Sequence, residues 1–122
     1  MEKLISRAGV PVLLCDAPGA TICEVQDALD VIGAAFSRAD TVAISAERLD
    51  KRFFRLSTGL AGEIMQKFVN YRIRLAIVGD ISAQVAASDA LRDLVRESNE
   101  RDHVWFVPTL EDLDALLERR AG

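Results

Sequence analysis

The run Ile73-Arg74-Leu75-Ala76-Ile77-Val78-Gly79 predicts a strand in the interior of a parallel sheet. Residues 75–78 are all apolar, and an unbroken apolar run is typical of a strand that is covered on both faces. Helices cover both faces of such a sheet in α/β domains, so the segments before and after this strand should show helical periodicity.

Helical periodicity is present on both sides of that strand. In the segment 24–36 the apolar residues fall on one helical face, which we expect to include Phe36, and Gly33 indicates close packing against a neighbouring element. Three further segments predict helices: 59–70, 88–99 and a last one that is capped by Thr109.

Short apolar segments between these helices predict the other strands. Val10–Cys15 and residues 4–5 should form a β-hairpin that turns at Ala8 and Gly9. The remaining strands are Thr41–Ser45 and Val104–Val107. The order β-β-α-β-α-β-α-β-α predicts a single α/β domain over residues 1–122, with a mixed, mostly parallel sheet and helical cover.

The segment 47–56 fits neither a full helix nor a strand. We expect irregular chain or one short helical turn, which Asp50 can cap. Phe53 and Phe54 should point from this segment into the core, because two adjacent aromatic rings are costly to leave in water.

Charge and composition exclude several classes of function. The 122 residues carry a net charge of −4, which argues against nucleic acid as the main partner, since a basic patch would be expected. No apolar run approaches the roughly 20 residues of a membrane span, and residues 1–7 lack the apolar region of a signal peptide. We therefore expect a cytoplasmic protein, in which Cys15 and Cys23 remain thiols.

The clearest candidate site is Ser57-Thr58-Gly59, which opens the second predicted helix. A helix N-terminus presents unpaired N–H groups, so with two hydroxyls it is a favourable place to hold or attach a phosphate. Ser57 or Thr58 is the predicted N-cap. The cations Arg52 and Arg55, with Lys51, precede the hydroxyls and can pair with a phosphate group.

Asp80 is expected to join this site. It follows the central strand, and ligands of open α/β sheets bind outside the carboxyl ends of the parallel strands. The competing interpretation is that Ser57 only caps a helix, Asp80 is a turn residue and the cations are solvated, because hydroxyl N-caps are common.

Other chemistries find less support in the sequence. A Ser-His-Asp triad would need His103 beside Ser57, but the two are predicted at opposite edges of the sheet, roughly 15 Å apart. Cys15 and Cys23 lack the spacing of a structural zinc site, and two carboxylates near the strand ends are thin support for Mg²⁺. The sequence therefore predicts no metal ion and no cofactor, and it favours a non-enzymatic role.

The element order, taken with Ser57-Thr58-Gly59-Leu60-Ala61, resembles the STAS domain of anti-sigma-factor antagonists. In that family a Ser-Ser-Gly-Leu-Gly segment opens the second helix, and a partner kinase phosphorylates the first serine, which switches binding off. The resemblance implies that Ser57 is the phosphorylated residue here. Two positions depart from the family pattern: Leu56 stands where the family has Asp, and Ala61 replaces the second glycine.

The whole chain is also similar to a bacterial domain family of unknown function. The similarity rests on residues 25–30, on residues 58–68, which begin Thr58-Gly59-Leu60, and on Asn70-Tyr71-Arg72. It continues through Leu75-Ala76-Ile77-Val78-Gly79-Asp80 and Glu97-Ser98-Asn99. This resemblance implies a bacterial source and carries no assigned activity.

We therefore expect a non-enzymatic regulatory module that docks a protein partner around the second helix and is switched by phosphorylation at Ser57. One alternative is a small-molecule or anion-binding domain, with a small enzyme among the options, that uses Asp80, Ser57 and Thr58 at the strand carboxyl edge. Another is a structural module that forms a homo-oligomer.

Overall fold

The computed structural model describes residues 2–121 and shows a five-stranded sheet with helices on both faces. The strands are β1 (Glu2–Arg7), β2 (Val10–Cys15), β3 (Thr41–Ser45), β4 (Arg74–Val78) and β5 (Val104–Val107). The helices are α1 (Val25–Ala35), α2 (Leu60–Asn70), α3 (Ser82–Ala87), α4 (Asp89–Asn99) and α5 (Leu110–Ala121). The predicted α/β class is confirmed, and the short helix α3 is an addition to the predicted order.

The strands lie in the sheet in the order in which they occur in the chain. The predicted hairpin is confirmed: β1 and β2 are antiparallel and are joined by Ala8 and Gly9, whose φ angles of 51° and 78° are those of a type I′ turn. All other neighbours are parallel. Pairing of β2 with β3 begins at Val12, one residue after Pro11, so the missing N–H of Pro11 removes no hydrogen bond between these two strands.

This strand order explains where the helices lie. Each parallel connection advances one strand in the same direction, and right-handed connections then place their helices on one face. Accordingly α1, α2 and α4 contribute to one core layer, while α5 covers the other face of the sheet.

The two faces of the sheet are packed differently. The face toward α1, α2 and α4 carries large side chains, among them Leu13, Val42, Ile44, Leu75 and Phe106. The opposite face has small residues on its central strands, Ala43 and Ala76, which leave room for Trp105 and for Leu113 and Leu117 of α5. The central strand β4 is therefore buried on both faces, as residues 75–78 predict.

Two predictions for the first helix are wrong. Phe36 is 70% exposed, because α1 ends at Ala35 and the chain turns away with extended backbone angles at Phe36. The buried stripe instead includes Val31. Gly33 faces solvent, and a methyl group there would meet no atom within 4 Å, so it does not mark close packing.

The segment between β3 and α2 forms three short 3₁₀ turns, Ala46–Arg48, Lys51–Phe54 and Leu56–Thr58. Asp50 caps the second turn as predicted, accepting from the Arg52 backbone N–H at 2.9 Å. Phe53 and Phe54 are buried, with their ring centroids 5.3 Å apart in an edge-to-face arrangement. This aromatic pair fixes the segment to the core just before Ser57.

Candidate functional site

The carboxyl ends of β2, β3, β4 and β5 lie at one edge of the sheet, because these strands are parallel. The chain leaves β3 at that edge and passes through the 3₁₀ turns into α2. Ser57, Thr58 and Gly59 therefore stand at the start of α2, where the sequence places them. The details of their contacts decide what each of the three can do.

Gly59 is the N-cap of α2, so the prediction that Ser57 or Thr58 fills this position is wrong. Residues 56–58 form a 3₁₀ turn of their own, and a single residue in the left-handed conformation separates this turn from the α-helix. Gly59 does so with a φ of 80°, which glycine adopts without a Cβ penalty. The Thr58 hydroxyl assists, since it lies 3.3 Å from the Leu60 backbone N–H.

The two adjacent hydroxyls have different surroundings. Thr58 Oγ1 lies 2.7 Å from the Arg52 carbonyl and 2.8 Å from the Arg55 carbonyl, so its proton is used within the turn. The Ser57 side chain is exposed, and between residues 2 and 121 it has no hydrogen-bond partner. Of the two, only Ser57 offers an unengaged hydroxyl to another molecule.

The predicted supporting cations also differ. Arg52 donates from Nε to Asp50 at 3.0 Å and from its terminal nitrogen to the Cys23 carbonyl at 3.0 Å. The hydrogen bond to Asp50 raises the pKa of Arg52, and the bonds from the Arg52 backbone and side chain lower the pKa of Asp50. Arg52 thus braces the turn against the loop at Cys23. Arg55 makes no salt bridge to the described part of the chain.

Ser57 and Arg55 line one cleft, which we call the cationic cleft. Its volume is about 560 Å³, and it lies between the 3₁₀ turns and the start of α4. It is lined by Lys51, Phe54, Arg55, Leu56, Ser57, Gln84, Ala87, Ser88 and Ala90. This lining holds two cations and no carboxylate. Gln84 and Ala87 belong to α3, which has no apolar periodicity by which the sequence would reveal it.

A second cleft, which we call the apolar groove, runs between α2 and α4 and shares Leu56 with the cationic cleft. Its volume is about 490 Å³. The lining is Leu56, Gly59, Gly62, Met65, Gln66, Val69, Leu94, Glu97, Ser98, Arg101, His103 and Val104. His103 immediately precedes β5, at the amino edge of the sheet, so it is not a partner for Ser57 at the carboxyl edge.

Asp80 does not join Ser57 in either cleft. Its carboxylate accepts from the Ser82 backbone N–H at 2.9 Å, and hydrogen bonds from Ser82 lower the pKa of Asp80. Thr109 likewise serves its own helix, accepting from the Asp112 backbone N–H at 3.2 Å. The polar groups at the carboxyl edge therefore act mainly as local caps and do not converge on one point.

The two cysteines are free thiols. Cys15 is buried at the end of β2, and loss of hydration raises its pKa to about 11. Burial also raises the pKa of Cys23, whose thiol lies 3.6 Å from Asp27. Among residues 2–121 no three His, Cys, Asp or Glu side chains are grouped so that they would hold a metal ion.

Arg48 is a residue whose role the sequence did not indicate. Its side chain is only 6% exposed, it pairs with Glu2 at 3.0 Å, and its Nε donates to the Ala20 carbonyl at 3.0 Å. The backbone on either side of Leu49 bridges to Ile22: the Arg48 carbonyl accepts from the Ile22 N–H at 2.7 Å, and the Asp50 N–H donates to the Ile22 carbonyl at 3.0 Å. Arg48 therefore joins β1 and the loop after β2 to the first 3₁₀ turn, and nothing in the local pattern distinguishes it from a surface arginine.

Fold and site together define an α/β domain in which two neighbouring clefts share Leu56. None of the helices described is long and apolar enough to cross a membrane. The chain belongs to the family described as a domain of unknown function, DUF4180, whose model matches residues 7–117. This confirms the predicted similarity to an uncharacterised domain family. No curated protein and no solved structure matches the chain.

Proposed function

We propose that this protein is a non-enzymatic regulatory module of the bacterial cytoplasm that binds a protein partner through the surface around α2. Phosphorylation of Ser57 switches that binding, as the resemblance to STAS domains implies. The observation that carries the proposal is the exposed Ser57 hydroxyl, unpaired within the described chain, on the cationic cleft and beside the apolar groove.

A phosphate on Ser57 would enter a favourable electrostatic environment. Lys51 and Arg55 line the same cleft, and no carboxylate lines it to repel the new charge. A phosphoryl group adds nearly two negative charges and can form one to three charge-assisted hydrogen bonds with such cations. Thr58 is a poorer acceptor for the phosphoryl group, because its hydroxyl already bonds to backbone carbonyls.

The adjacent apolar groove supplies the docking surface. Met65 and Val69 of α2 face Leu94 of α4 across it, and burying such side chains against a partner is favourable. Leu56 belongs to both clefts, so a charge on Ser57 lies next to any partner in the groove. A change of charge at this point would alter the affinity, because desolvating a phosphate is costly.

The test compares Ser57→Asp and Ser57→Ala as baits for proteins of the native host. We expect one partner to bind the two variants with affinities that differ about tenfold or more, which corresponds to about 1.4 kcal/mol. Ser37→Asp is the matched control, since it adds the same charge at an exposed serine that lines neither cleft. Peptide mapping of the protein isolated from its host should then find the phosphoryl group on Ser57. Equal binding by both Ser57 variants, with no phosphate at Ser57, would rule the switch out.

The cationic cleft also supports a second candidate, an anion-binding domain for a small molecule. Two cations among apolar walls suit an anionic metabolite with an apolar part. A ligand at a hundredfold excess over its dissociation constant would stabilise the fold by about 2.7 kcal/mol. A thermal-shift screen of nucleotides and phosphosugars measures this, and a signal that Lys51→Ala and Arg55→Ala abolish would favour this candidate over the regulatory one.

A further inference from the structure

The two outer edges of the sheet, β1 and β5, differ in whether their outward backbone groups have partners. At the β5 edge, the Asn99 side chain accepts from the Phe106 backbone N–H at 2.8 Å and donates to the Phe106 carbonyl at 3.1 Å. The side-chain amide pairs with both backbone groups as a neighbouring strand would. The β5 edge is therefore partly closed to another strand.

Within the described part of the chain, no side chain pairs with the β1 edge in this way. The two-residue turn makes Arg7 and Val10 a hydrogen-bonded pair, so Lys3 and Ile5 also bond to β2. The N–H and C=O groups of Leu4 and Ser6 then point away from β2. Nothing in residues 2–121 donates to them or accepts from them.

The open edge also carries an exposed apolar side chain. Leu4 is 49% exposed and lies in the middle of a six-residue strand without proline. An edge strand of this length with unpaired backbone groups is a template for pairing with another strand. The sequence of β1 decides which strand fits.

β1 is complementary to an antiparallel copy of itself in one register. If Leu4 lies opposite Leu4 of a second chain, the outward backbone groups match, and Ser6 lies opposite Glu2, a hydroxyl facing a carboxylate. A register centred on Lys3 would oppose two lysines, which is repulsive. One centred on Ile5 would place Lys3 opposite Arg7, which already pairs with Asp114 and Glu111 of α5, and it would set the exposed Leu4 opposite Ser6 instead of a second leucine.

We propose that two copies of this chain pair through the outer edges of their β1 strands, antiparallel and with Leu4 opposite Leu4. The two sheets then form one continuous sheet across a two-fold axis. This interface is remote from the Ser57 clefts, so the proposal stands independently of the regulatory function.

Sedimentation equilibrium of the full chain tests the interface. We expect a dimer for the native chain and a monomer for Leu4→Glu and for Leu4→Lys, because each variant places like charges face to face on the axis. An equimolar mixture of the two variants should recover the dimer, since Glu then faces Lys. Both variants remain folded by circular dichroism, because the side chain at position 4 is outside the core.

Disulfide trapping tests the register in a Cys23→Ser background. Leu4→Cys should form a covalent dimer under mild oxidation, because Cα atoms of a hydrogen-bonded pair are about 5.5 Å apart, within disulfide range. Ser6→Cys is the matched control and should not, since the two Ser6 residues would lie about 13 Å apart. A native chain that stays monomeric at millimolar concentration overturns the proposal, as does crosslinking through Ser6 but not Leu4.

Discussion

Two glycines that look equivalent in the sequence have opposite structural roles. Gly79 follows β4 with a φ of 149°, and a Cβ added there would lie 3.0 Å from the Cβ of Ala46. Gly33 lies within α1, faces solvent and has no atom within 4 Å of such a Cβ. Gly79 therefore allows the strand ends to approach each other at the carboxyl edge, whereas Gly33 only weakens a helix.

Alanine at these two positions should change stability in opposite directions. Gly79→Ala forces both a rare backbone conformation and a contact that must relax, so we expect a loss of about 1–3 kcal/mol. Gly33→Ala removes backbone freedom from the unfolded chain and should raise the free energy of unfolding by about 0.5–1 kcal/mol. Urea titration of both variants measures this, and a shift of the same sign in both would contradict it.

The candidate site also depends on details at the scale of a residue. The sequence predicted the hydroxyl pair at the start of α2, because hydroxyls before a helical stripe are typical of N-termini. It did not predict which hydroxyl is free. That depends on the 3₁₀ turn at residues 56–58, which moves the cap to Gly59 and engages Thr58 with carbonyls.

At the scale of secondary structure, the elements with strong periodicity were predicted and the short ones were not. Strands β2 to β5 and the four longer helices have buried residues that leave a pattern in the sequence, whereas β1 has none and only its residues 4–5 were predicted. Helix α3 has six residues, none of them buried, so it leaves no apolar period. Because α3 has no apolar periodicity, the sequence also does not predict that Gln84, which lies on α3, lines the cationic cleft.

The Asn99 side chain should stabilise strand β5 measurably. Asn99→Ala removes the protein partner of the outward N–H and C=O of Phe106, and we expect a loss of about 1–3 kcal/mol. Asn70→Ala is a matched control, because Asn70 ends α2 as Asn99 ends α4, but its side chain bonds, within residues 2–121, only to the exposed Gln66. Its effect should stay within about 0.5 kcal/mol. Equal effects in urea titration would show that Asn99 does not support the edge.

At the scale of the whole molecule, topology was more predictable than the site. Alternating strands and helices restrict the connections to right-handed, neighbouring ones, so the parallel sheet followed from the element order. The carboxyl edge was predicted for the same reason. Whether Asp80 and Ser57 meet there depends on loop geometry, and the bond from Ser82 holds Asp80 in its own turn.

The stability of the whole fold should fall at alkaline pH because of one buried thiol. Burial raises the pKa of Cys15 from an ordinary 9.0 to about 11, so the unfolded chain ionises first as pH rises. The contribution of the neutral thiol is complete below pH 9, declines between pH 9 and about 11, and is lost above that range. The total loss is about 3 kcal/mol, from two pH units at about 1.4 kcal/mol each.

Comparison with Cys15→Ala isolates this loss from the other effects of alkaline pH on the fold. The variant starts from a lower stability, because deleting the buried sulfur leaves a small cavity. Its free energy of unfolding should nevertheless decline less than that of the native chain between pH 8 and pH 11, by about 2 kcal/mol. Guanidinium titrations at each pH measure the difference. Parallel pH profiles for the two proteins would mean that the thiolate is tolerated at the end of β2, and that Arg48 and solvent reach Cys15 more freely than its burial implies.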